Sequence, residues 1–143
     1  MHWIFPEFVT GRRAVGLLLL RLVTGLAFIL HGWPKMQNMT GWMGPEAPVP
    51  GVAQAAAALS EFGGGIALML GLLTPLAAVF LAGTMTVAMF MAHISQGHPF
   101  VAKEGPSYEL AAVYLTIVLT LLLLGPGKLS LDALLFGRRG TTE

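Results

Sequence analysis

Few side chains in this sequence have chemistry to offer, and most of them lie inside or at the ends of apolar runs. The stretch Leu17 to Lys35 reads LLLLRLVTGLAFILHGWPK, with Arg21 in its interior and His31 and Lys35 near its end. A charge placed in hydrocarbon costs several kcal/mol, so Arg21 must turn to a partner or to a polar cavity. At about 100° per residue, Arg21, Gly25, Phe28, Gly32 and Lys35 fall within about 80° of one another, with His31 beside them. One face of this helix is therefore unlike lipid. The later runs add Glu61, His93 and Glu109. Lysine and histidine can donate hydrogen bonds to a ligand oxygen, and histidine and glutamate can pass protons.

The elements that must position these groups follow from composition. The chain has 143 residues, 55% hydrophobic and only 10% charged, against roughly 25% charged in an ordinary soluble domain. It reads as one all-α integral membrane domain. The net charge of +1 comes with no dense basic patch, which excludes a nucleic-acid partner. There is no cysteine, so disulfides, thiol redox chemistry and cysteine-ligated metals are excluded within the chain.

Four apolar segments of bilayer length are expected, at about 14–33, 52–73, 76–94 and 107–124. Pro34, Pro75 and Pro106 stand at their ends, and Thr74–Pro75 alone joins the second to the third in a tight hairpin. The first segment reads as a span and not a cleaved signal peptide, because it is too long and no A-x-A-like site ends it. After Gly125-Pro126-Gly127, residues 128–137 form a short interfacial helix, with Ser130 and Asp132 available as caps and Leu131, Leu134 and Leu135 on its apolar side. Gly140–Glu143 reads as a frayed tail. The architecture expected is a four-helix membrane bundle with a short C-terminal interfacial helix. Arg12, Arg13, Lys128, Arg138 and Arg139 lie on the side of both termini, against Lys35 and Lys103 on the other. The positive-inside rule then places both termini in the cytoplasm. Trp3, Phe5, Phe8, Trp33 and Trp42 read as interfacial belt residues.

Depth can be measured from the cytoplasmic end of each span at 1.5 Å per residue. Arg21 comes out at roughly 10 Å, Glu61 at roughly 18 Å, and His31, His93 and Glu109 all at roughly 25 Å, with Lys35 one turn higher. The expectation is a buried Arg21–Glu61 ion pair, reached by the long arginine stem, with Ala57, Gly64, Gly65 and Leu68 sharing the face of Glu61. Above it, His31, Lys35, His93 and Glu109 are the candidates for ligand or proton handling around one outer cavity. Thr86 shares a face with His93, and Thr116 and Thr120 share one with Glu109. Two histidines on separate helices are too few to assign a metal or haem, so no metal site is assigned. Met36, Met39 and Met43 have the spacing of an interfacial amphipathic turn. There is no phosphate loop, nucleophile elbow or HExxH pattern.

The pattern R-x3-G-x2-F-x2-H-G-x2-K, formed by Arg21, Gly25, Phe28, His31, Gly32 and Lys35, resembles the signature of the DoxX family. The resemblance continues through Glu61-Phe62-Gly63-Gly64, Gly71-Leu72-Leu73-Thr74-Pro75, the His93 region, Glu109 and GPGKLSLD at Gly125–Asp132. It implies a small four-helix protein of the bacterial inner membrane. Some relatives are linked to quinone-coupled sulfur oxidation and others to complexes handling oxidative stress. The expectation is a membrane subunit of such a redox system, with a quinone or small anion at the polar cluster and electrons supplied by a partner protein. No cofactor is expected within the chain itself beyond a bound quinone. The rival readings are a non-catalytic anchor that recruits redox enzymes and a small-solute transporter, the latter needing a homo-oligomer to supply repeats.

Overall fold

A computed structural model describes residues 7–137. Trp3, Phe5, Arg138, Arg139 and the 140–143 tail lie outside the described residues. Among those described, the chain is all-helical. Helix α1 runs Gly11–Met36, α2 Gly51–Leu70, α3 Thr74–Val87, α4 Glu109–Leu124 and α5 Leu131–Phe136. Beyond Val87 the third helix continues as a π-helical segment, Ala88–His93, and a 3-10 turn, Ile94–Gln96. Three helices, the third counted through Gln96, are long and apolar enough to cross a membrane, and α4 adds a shorter apolar helix. The protein is an integral membrane helical bundle.

The distribution of apolar side chains explains the arrangement. Leu17, Phe28, Leu68, Ala78, Leu81, Val118 and Leu121 form the core between the helices. Val23, Leu30, Val52, Phe80 and Leu123 stay largely exposed, as they must if hydrocarbon surrounds the bundle and no hydrophobic force drives them inward. Helix association then depends on close packing. A Cβ at Gly25 would lie 2.6 Å from the Gly65 carbonyl oxygen, and a Cβ at Gly32 would lie 2.6 Å from the Phe62 nitrogen. The α1 and α2 backbones touch through these glycines, which fixes their antiparallel register.

Both ends of α1 extend past the expected span. It begins at Gly11 and passes through Pro34 to Met36, so Lys35 is still helical. Helix α2 stops at Gly71, whose φ of +63° is a left-handed conformation that suits glycine. Leu73 also has positive φ, at 48°, and Thr74 starts α3 at once. The start of α1, the α2–α3 turn and α5 gather at one end of the bundle: Lys128 N donates to Val9 O and Asp132 N to Gly71 O. We call this the turn end. The α1–α2 and α3–α4 loops occupy the loop end.

Candidate functional site

The two ends hold different kinds of polar structure. At the turn end, Arg21 is fully buried and donates from Nη1 to Leu68 O at 3.2 Å and from Nη2 to Leu129 O. It therefore serves the carbonyl end of α2 and the strap leading to α5. Asp132, also fully buried, accepts from Leu73 N at 2.6 Å and Thr74 N at 2.8 Å. Those amides open α3 and have no partner within their own helix. Asp132 thus caps a distant helix, while its neighbour Ser130 caps α5 by accepting from Ala133 N at 3.1 Å. A Cβ at Gly71 would collide with the Arg21 guanidinium, so this glycine answers to a close approach as well as to its φ.

The expected Arg21–Glu61 pair is not formed. The Gly25–Gly65 and Gly32–Phe62 contacts set Arg21 opposite Gly71, roughly 15 Å along the axis from Glu61 at 1.5 Å per residue. Counting depth from estimated span ends halves that gap and so makes the pair look reachable. Glu61 instead takes Lys35: Nζ lies 2.7 Å from Oε1 and 2.6 Å from Oε2. The carboxylate is almost wholly buried, with 4% of its side chain exposed, whereas Lys35 keeps 23%. The lysine ammonium also sits 4.5 Å from the centre of the Trp42 ring, a cation–π contact. Trp42 is held in place because its Nε1 donates to Gln54 O at 3.0 Å, and Gln54 accepts from Met43 N and donates to Val49 O. Trp42 is therefore half-buried and packed into the site, a placement unlike that of a lipid-facing belt residue.

The remaining candidates are distributed around this pair. His31 is exposed, and its Nδ1 lies 2.8 Å from Ala27 O in its own helix. Its ring meets Tyr114 of α4 edge-on at 6.1 Å, and Tyr114 packs against Phe28 at 4.9 Å. His93 lies with His98, Nδ1 to Nδ1 3.1 Å. Glu109 is exposed at the first turn of α4. Among the described residues, no hydrogen bond or ion pair joins His31, His93 or Glu109 to one another or to Lys35. The hydroxyls of Thr86, Thr116 and Thr120 donate to carbonyls of their own helices, at Ala82, Ala112 and Thr116. A groove of about 450 Å³ between α2 and α3, lined by Leu59, Gly63, Gly64 and Phe80 among others, lies apart from these residues.

Sequence reasoning missed Asp132 as a long-range cap, Gln54 and Trp42 as the frame of Lys35, and His98 as the partner of His93. Only His93 and His98 were near enough in sequence for spacing to hint at contact. His98 lies in the α3–α4 loop, which had no periodicity from which to place it.

The DoxX family model matches residues 16–94, more than half of the chain. The chain belongs to the DoxX family. Within this family, the α1 to α3 unit carrying Arg21, Lys35, Glu61 and His93 is the matched part. This DoxX protein is 35% identical over 129 residues to the inner membrane protein YqjF of Escherichia coli K12, covering 85% of this chain and 92% of the relative. It is 31% identical over 130 residues to the E. coli inner membrane protein YphA, covering 84% and 90%. A third relative, from Bacillus subtilis strain 168, bears the name "Putative oxidoreductase CatD" and is 30% identical over 124 residues, covering 85% and 88%. No solved structure matches this chain.

Proposed function

We propose that this DoxX protein is the membrane subunit of a redox or oxidative-stress system, and that it receives a quinone or small anion at Lys35. The observation that carries this reading is the Lys35–Glu61 pair: a buried carboxylate holding an ammonium group that stays partly open at the loop end. The ammonium can donate a hydrogen bond to a quinone or oxyanion oxygen. Glu61 behind it can take or return the proton, and Trp42 offers an aromatic wall. His31 and Tyr114 lie on the neighbouring α1–α4 side, where they could contact a ring. The relative named as an oxidoreductase supports the redox class. Electrons would come from a partner protein, because the sequence has no cysteine and no recognisable flavin or haem motif.

We place the turn end in the cytoplasm, where Arg12, Arg13 and Lys128 outnumber the Lys35 and Lys103 of the loop end. The site then faces the outer side of the inner membrane. Thr10→Cys should resist an impermeant thiol reagent in intact cells and Lys103→Cys should react, with the reverse result refuting the orientation.

The ligand reading is tested by thermal unfolding of purified protein with and without added quinone. A ligand that binds only the folded state raises its stability. Wild type should be stabilised and Lys35→Met should not, while remaining folded. Equal stabilisation of both proteins would remove Lys35 from the site. A second reading, an anchor that recruits redox enzymes, draws on one observation: Lys35 already engages both oxygens of Glu61, as a closed structural pair would. It predicts that quinone stabilises neither protein and that a soluble enzyme co-purifies.

A further inference from the structure

We propose that His93 and His98 form a two-imidazole site for a borderline divalent transition cation of the zinc class, at the loop end and separate from Lys35. The inference stands apart from the proposed quinone reading and does not need it. Two observations carry it.

The first is the geometry of the pair. The two Nδ1 atoms face each other at 3.1 Å, and the ring centres are 5.3 Å apart at 58°. One lone pair must accept the other ring's proton in this arrangement, or both can turn to a cation. Zinc–nitrogen bonds of about 2.0–2.1 Å at a tetrahedral angle set two nitrogens about 3.4 Å apart. Opening the present contact by a few tenths of an ångström reaches that distance. A linear two-coordinate ion would need about 4 Å, which favours a tetrahedral ion. Imidazole nitrogen is a preferred ligand of this class of metal.

The second observation is the backbone that brings the rings together. Helix α3 gives up regular α geometry for a six-residue π segment that ends at His93. Such segments occur often at functional sites. His93 itself has φ −125° and ψ −63°, outside the helical well. Gly97, at φ +74° with open space around it, reverses the chain, and His98 N then donates to His93 O at 3.1 Å. Just beyond, Tyr108 N donates to Pro99 O, and the Phe100 and Tyr108 rings pack against each other at 5.3 Å, tilted by 48°. The loop that carries His98 is thus pinned on both sides. Neither ring is fully buried, so an ion has access from water.

Among the described residues, no cluster of three or more histidine, cysteine, aspartate or glutamate side chains converges. The protein supplies two ligands, and water or an external anion completes the shell. Affinity should therefore be modest and the ion exchangeable.

The test uses the full chain in detergent. Zn2+ is titrated by calorimetry, and Co2+ is followed by its visible ligand-field absorption. Wild type should bind one ion per chain, His93→Ala and His98→Ala should each weaken binding at least tenfold, and His31→Ala should leave it unchanged. X-ray absorption of the zinc-loaded wild type, which needs no variant to fold, should show two imidazole nitrogens. Equal binding by wild type and the His93→Ala/His98→Ala double variant would overturn the proposal, as would an oxygen-only shell or a loss that follows His31. A quinone effect at Lys35 that persists in His98→Ala would leave the earlier reading intact.

Discussion

The turn end and the loop end both bury charge, but in opposite ways. At the turn end, Arg21 and Asp132 each spend their hydrogen bonds on backbone: carbonyls of Leu68 and Leu129, amides of Leu73 and Thr74. Both side chains are fully buried. Helices that begin and end inside a bundle leave amides and carbonyls unpaired, and lipid offers no water to satisfy them. The turn end is a solution to that problem. At the loop end, side chains pair with side chains, Lys35 with Glu61 and His93 with His98, and at least one partner of each pair stays within reach of solvent. Charge that serves backbone holds the fold. Side chains paired with one another and left partly open can exchange a partner for a ligand.

The sharpest way to break this distinction is at Asp132. Each bond from a carboxylate to a buried amide contributes about 1.5–3 kcal/mol. Asp132→Ala should therefore cost roughly 3–5 kcal/mol, read as a loss of thermal stability in detergent. A cost below about 1 kcal/mol would deny the turn end its structural role. Lys35→Ala comes next. Breaking a well-buried pair costs about 3–5 kcal/mol, and the partial exposure of Lys35 reduces that to roughly 2 kcal/mol. A double-mutant cycle with Glu61→Gln should give a coupling of about 1–2 kcal/mol, and strict additivity would mean the two do not interact.

Gly65→Ala tests what links the two ends. Its Cβ would sit 2.7 Å from Gly25 O, so the α1–α2 contact must open, at a cost of about 1–2 kcal/mol. The smallest effect is expected at His31→Ala. Its ring is exposed and bonds only to a carbonyl of its own helix, so stability should change by less than about 0.5 kcal/mol. A large loss there would mean that the loop end is as structural as the turn end.

Much of the fold was legible because membrane spans announce themselves. Apolar runs with Pro34, Pro75 and Pro106 at their ends mark helices whatever their neighbours. The close-packed face around Gly65 was also readable, since small residues at helical spacing have few other uses in lipid. The pairing of charges was not. Arg21 and Glu61 looked like partners on depth alone, but depth is counted from span ends, and an error of a few residues on each helix adds up across an antiparallel pair. The glycine contacts, which set the true register, identify themselves only when both backbones are in place.

What the sequence determined by itself is the all-helical membrane bundle, a tight connection between its second and third helices, and the set of side chains available for chemistry. These are local properties, fixed by hydrophobicity, turn residues and composition. Which of those side chains meet was decided only by tertiary structure. Asp132 reaches Thr74 across 58 positions of chain, and Lys35 reaches Glu61 across 26. Both contacts depend on how two helices slide against each other, and a slide of one turn, about 5.4 Å, exchanges one partner for another.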